Sequence, residues 1–397
     1  MQPRRLVVLG VLLSVVIALM ALGRRGGARG ATYVPSRDDD VLEHTSATSD
    51  PRRAEMSALR KVLRARPDDL ASALRFTVLA IEEGRARSDP RYLGYGQAAL
   101  SPWWDQPAPP ATVRLLRATI RQSLHDFAPA LLDLDAVVAE DPKNAQAWLT
   151  RSVILTVRGD YAEARKSCLR VSELASAVIA AVCTGSIDGV TGHAREGIAR
   201  IEGALAAGAT DGERGWAIGA LAELSVRAGD RDAAGRRFVE ALAIDPRDPY
   251  LLATYADLLL DGSKHNEVIE HLRGSLHDDG LLLRVVLAET ALKHPAAAAH
   301  LDELRARHAA NRARGDIVHR REAARFELWI EGHPAEALAL ARANWEVQRE
   351  PADARILLEA ADAAHDPAAA APVVAWVRSS GIEDPTLRAL AARCEAK

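Results

Sequence analysis

Three stretches of this chain carry the same small and large residues at the same offsets, and this periodicity restricts the fold more than any other feature. Counted from starts at Ala111, Ala145 and Gly215, the eighth position is Ala118, Ser152 and Ala222. The twentieth is Ala130, Ala164 and Ala234; the twenty-fourth is Leu134, Cys168 and Phe238; the twenty-seventh is Val137, Val171 and Ala241. A turn precedes each twentieth position, at His125-Asp126, Gly159-Asp160 and Gly229-Asp230, and Pro142 and Pro246 stand at position thirty-two. Small residues at eight and twenty let two helices approach closely, and large ones at twenty-four and twenty-seven fill the gap to the next pair. Proline, lacking an N–H, ends the second helix. No such unit can bury its apolar face alone, so neighbouring units must stack.

The pattern resembles the tetratricopeptide repeat, whose period is about 34 residues. Gly229 to Pro246 and Gly159 to Val171 match best, whereas the family's glycine at position eight is mostly Ala or Ser here. Further units start near Val178, Pro249, Leu281 and Val318. An irregular unit occupies 68–100, a last pair 353–380, and Pro385 to Ala396 reads as a capping helix. The resemblance implies an all-α, right-handed solenoid of about eight helix pairs over residues 51–397, and a protein-binding role rather than an enzyme. Composition agrees: hydrophobic residues make up 48% but aromatics only 4%. Ala and Leu are strong helix formers, while the residues that favour strands are sparse.

Leu6 to Leu22 is apolar apart from Gly10 and Ser14. As a helix it would cover about 26 Å, slightly short of a ~30 Å hydrocarbon core. Arg4, Arg5, Arg24 and Arg25 flank it and can snorkel to the interfaces. Residues 1–23 are expected to be an uncleaved signal-anchor, because the small-x-small site Ala21-Leu22-Gly23 would leave two arginines directly after the cut. The alternative is a cleaved signal. Residues 24–50, rich in Gly, Arg, Ser, Thr and Asp, read as a flexible tether. Charge on the far flank slightly favours a cytoplasmic C-terminal domain, while resemblance to a bacterial signal-anchor favours export. The expectation is a single-pass inner-membrane protein with its folded part in the periplasm.

A formal net charge of −3 argues against nucleic acid as partner, since phosphate binding needs a basic surplus. Cys168, Cys183 and Cys394 show no C-x-x-C spacing and read as buried small apolar residues. Twelve histidines include no pair at helical metal-site spacing, and several (His125, His193, His333) fall at repeat turns. No phosphate-loop or nucleophile-elbow motif is present. No catalytic residue, cofactor, metal or small-molecule substrate is expected.

In tetratricopeptide proteins the inner face is lined by helix-A positions that include two and nine. Position nine carries Glu223, Asp257 and Glu289 in three successive units, and position two carries Trp216, Tyr250 and Leu282. These six are the expected protein-binding residues: an acidic strip with apolar neighbours that suits a basic partner segment. The Lys, Arg and Asn pattern of family members that clamp a peptide carboxylate is missing. The rival reading is a structural spacer or assembly subunit of an envelope complex, joined through its terminal faces. The aromatic segment from Tyr92 to Trp104 is expected to seal the N-terminal end of the solenoid rather than to contact a partner.

Overall fold

A computed structural model describes residues 50–315 and 319–396. The expected anchor, Leu6 to Leu22, and the tether up to residue 49 lie outside them. Among the described residues no helix is long and apolar enough to cross a membrane, and no strand occurs. The chain divides at Arg53/Ala54 into two units.

The second unit is helical throughout. Its first elements are α1 (Pro51–Ala65), which begins just before the division, α2 (Leu70–Arg87), α3 (Arg91–Ala99) and the single turn α4 (Ser101–Trp104). Eight antiparallel pairs come next. These are α5 (Ala111–Ser123) with α6 (Phe127–Glu140), α7 (Ala145–Arg158) with α8 (Tyr161–Leu174), α9 (Ala177–Val190) with α10 (Ala194–Ala206), and α11 (Asp211–Arg227) with α12 (Arg231–Ile244). Beyond them lie α13 (Pro249–Asp261) with α14 (His265–Leu272), and α15 (Asp279–Leu292) with α16 (Ala297–Ala313). In the seventh pair α17 (Arg320–Phe326) runs into a π-helical turn (Glu327–Glu331) before α18 (Pro334–Trp345). The eighth is α19 (Pro351–Ala363) with α20 (Pro367–Ser380), and α21 (Pro385–Glu395) caps the end.

The repeat phase has the predicted physical content. Ala118, Ala130, Ala164, Ala222 and Ala234 are wholly buried where paired helices touch, and Leu134, Val137, Val171 and Phe238 are wholly buried against the next pair. Helix starts are set by local chemistry: Asn144, Asp230 and Asp248 accept backbone N–H bonds as N-caps, and Thr210 with Glu213 forms a capping box. Trp103 and Trp104 pack on the core cluster of Leu93, Leu100 and Val113, as the sealing role requires.

Two features depart from the simple array. Cys168 and Cys183 are joined by a disulfide, with Cα atoms 5.6 Å apart. They are buried as expected, but as a covalent staple between α8 and α9 rather than as separate apolar residues. The array also closes on itself. The turns after α7, α9, α11 and α13 face residues from the C-terminal third. Arg349 N–H donates to the Val157 carbonyl at 2.7 Å, and Ala194 N–H to Glu383 Oε2 at 2.9 Å. Arg355 grips Asp261 through two bonds of 2.8 and 2.7 Å. A Cβ on Gly192 would stand 2.7 Å from the Gly381 carbonyl, and one on Gly229 3.1 Å from Pro385.

Candidate interaction chamber

The inner face survives this closure as a cavity of about 640 Å³. Leu149, Val153 and Val157 of α7, Trp216 and Leu224 of α11 and Tyr250 of α13 supply its apolar walls. The loop carrying Arg349 and Glu350 forms another side. Five carboxylates line it (Asp211, Glu223, Asp245, Asp248, Glu350) against two guanidiniums (Arg227, Arg349), so the lining is acidic.

Trp216 and Tyr250 are 43% and 52% exposed although each stands next to the core. Tyr250 follows the N-cap Asp248 and Pro249, so the helix start fixes its position. Its hydroxyl donates to Glu223 Oε2 at 3.0 Å, and Arg227, one turn along α11, reaches the same oxygen at 3.0 Å. Burial raises the Glu223 pKa against the pull of Arg227 and the Tyr250 hydrogen bond. Loss of water around its hydroxyl, together with the Glu223 charge, pushes Tyr250 well above the usual phenol range, although the ring itself is half exposed. A largely dehydrated carboxylate beside two exposed rings suits a cationic group carried on an apolar stem.

Of the six residues expected on the inner face, Trp216, Glu223 and Tyr250 meet in this chamber. The other three do not join them. Leu282 is fully buried beside Leu283, Val286, Leu304 and Phe326. Glu289 is 2% exposed and bonded to His300 Nδ1 at 2.8 Å. The reason is that α15 is buried on nearly every side, through Leu281, Leu283, Arg284, Val285 and Ala288 as well as these two. Asp257 is engaged by Arg284 through two bonds of 2.7 and 2.8 Å and by Arg325 at 3.3 Å. Burial raises its pKa, but the two guanidiniums outweigh that and hold it below the ordinary value. The three carboxylates therefore form no continuous acidic strip; each is matched locally.

Sequence reasoning missed Arg227, Arg349 and Glu350. Arg227 lies four residues after Glu223, a spacing that places both on one helix face. Arg349 and Glu350 arrive through chain closure, which no local pattern encodes. A second cavity, of about 1140 Å³, lies beyond Tyr250, between α2–α3 and the 277–340 region. Its lining mixes arginines and carboxylates, most of them paired.

Among the described residues the fold is an array of tetratricopeptide-like antiparallel helix pairs. Among solved structures it resembles a thermophilic tetratricopeptide protein of Thermus thermophilus at 21% identity, over 48% of this chain and 98% of that one, with a TM-score of 0.39. Yeast Tom70 matches at 11% identity over 87% and 92%, with a TM-score of 0.36. A human IFIT1 dimer with PPP-AAAA matches at 12% over 87% and 86%, with a TM-score of 0.43. No protein-family model and no curated protein matches the sequence.

Proposed function

We propose that this protein is a membrane-tethered scaffold that receives a basic, apolar-stemmed segment of a partner protein in the chamber between Trp216, Glu223 and Tyr250. The observation that carries this reading is the pairing of two exposed aromatic rings with a dehydrated carboxylate inside an acidic cavity. Large aromatic side chains dominate binding energy at protein interfaces. The scaffold binds and positions; no reaction is assigned to it. Leu6–Leu22 is the proposed membrane anchor and residues 24–50 the tether, with the folded part on the exported side. The Cys168–Cys183 disulfide supports export, because disulfides persist in oxidising compartments.

The test begins with a partner recovered from membranes. Trp216→Ala with Glu223→Gln should weaken its binding and flatten the salt dependence while leaving the melting temperature within a few degrees. Undiminished binding to this variant at low salt would move the interface to the terminal faces, as the spacer reading requires. Retention of the full chain in the membrane after an alkaline wash, and a periplasmic signal from reporters fused after residue 50, check the anchor and its orientation. A mature N-terminus at Arg24 would show a cleaved signal instead.

A further inference from the structure

We infer that Glu327, His333 and Glu336 form a binding site for a divalent transition-metal ion. One ligand atom from each of the first three lies within 4.8 Å of the others. His333 Nδ1 stands 2.9 Å from Glu327 Oε2, and His308 Nε2 stands 3.3 Å from Glu327 Oε1. Donor atoms about 2.0–2.2 Å from a tetrahedral zinc lie roughly 3.3–3.5 Å from one another, so Glu327 and His333 stand near that spacing and the exposed Glu336 carboxylate must close in on them.

The backbone builds this arrangement. The π-helical turn Glu327–Glu331 ends at Gly332 in the left-handed region (φ 70°), whose N–H returns to the Glu327 carbonyl. The His333 N–H donates to the same carbonyl at 2.8 Å, which folds His333 over Glu327. Pro334 then starts α18 and places Glu336 in its first turn. Glu327 is 2% exposed, and the His308 ring lies against Phe326 with centroids 4.1 Å apart. One wall of the site is therefore held in place before any ion arrives.

Arg312 joins the two carboxylates, bonding Glu327 and standing 3.2 Å from Glu336. Its side chain is 59% exposed and leaves from the last turn of α16, so it can swing into water. The two carboxylates carry a charge of −2, which a divalent ion neutralises in full and the single guanidinium only in half. The mixed nitrogen and oxygen donors suit zinc, nickel or cobalt(II) rather than magnesium or calcium. Arg312 and the metal are thus alternative cations for one site.

The experiment titrates the untagged full-length protein with zinc chloride by calorimetry, and with cobalt(II) by visible absorption. One equivalent should bind, and cobalt should show the intense bands of a tetrahedral complex. His333→Ala should weaken binding by roughly tenfold or more, a loss of the size seen when metal-site partners are removed. Glu336→Gln, at an exposed position, keeps the test sound should His333→Ala fold poorly. Arg312→Ala should tighten binding, because the competing cation is gone. No saturable binding, or binding unaffected by His333→Ala and Glu336→Gln, would overturn the assignment. So would weaker binding in Arg312→Ala.

Discussion

The Trp376 indole N–H donates to the Tyr161 hydroxyl at 2.9 Å, across 215 residues of sequence. This bond ties α20 to the start of α8. Around it Trp376 meets Trp345 edge-on at 5.4 Å, inside a core cluster that also takes in Val190 of α9. Tyr161→Phe should cost about 1 kcal/mol, the net worth of one hydrogen bond. Trp376→Ala should cost about 3–5 kcal/mol by emptying a buried aromatic site. Chemical denaturation of both variants checks the ratio, and equal losses would mean that the hydroxyl alone holds the closure.

Two glycines should respond to alanine in opposite directions. Gly192 sits at φ 79° with the Gly381 carbonyl 2.7 Å from any added Cβ. A side chain there is both strained and obstructed by backbone, so Gly192→Ala should lower the melting temperature by several degrees. Gly203 lies within α10 with open space around it. Gly203→Ala should be neutral or stabilise by up to about 1 kcal/mol.

Stability should carry two opposed pH signatures near the seventh and eighth pairs. Asp353 accepts from Asn344 Nδ2 at 2.9 Å and from the Glu350 N–H at 2.9 Å. Burial pushes its carboxyl up to about 6, against the pull of Arg321 and with added repulsion from Glu350. A folded pKa above the unfolded one stabilises most at low pH. This contribution is complete below about 4 and fades as pH rises through about 6, by at most on the order of 3 kcal/mol. Glu322 behaves oppositely. Burial raises its pKa, but Arg325, Arg284 and Arg321 outweigh this and hold it at about 2. Its contribution is present above about 4.5 and is lost as pH falls towards 2. Melting curves of Asp353→Asn should lose the decline between pH 4 and 6 yet keep the loss in strong acid.

The disulfide closes a separation of 15 residues, for which chain-entropy arguments give about 3 kcal/mol. Cys168→Ala with Cys183→Ala should lose about that much. A reductant should lower the melting temperature of the wild type towards that of the variant, and should leave the variant itself unchanged.

What was legible in the sequence is what repeats locally. The small residues at eight and twenty and the large ones at twenty-four and twenty-seven all proved buried, because their neighbours lie within one or two units. The same register held a clue to the disulfide. Cys168 stands at position twenty-four, which packs against the following helix, and Cys183 stands on that helix. Leu282 and Glu289 show where the reading fails. Equivalent repeat positions share an environment only while the helix keeps one face open, and α15 is enclosed nearly all round. Arg349 and Glu350 reach the chamber through contacts made far along the chain, which residue spacing cannot foretell.

The closure also changes how such a molecule comes apart. An open array behaves as a row of nearest-neighbour units, and its ends fray before its middle. Here Asp261 is bound to Arg355, Gly192 abuts Gly381 and Tyr161 is bonded to Trp376, so the C-terminal pairs are latched onto the middle of the array. The C-terminal pairs cannot peel away without releasing their hold on the middle of the array. Unfolding should be a single concerted event rather than progressive unzipping, and refolding should be slow for a helical protein, since contacts this remote must form before the latch closes.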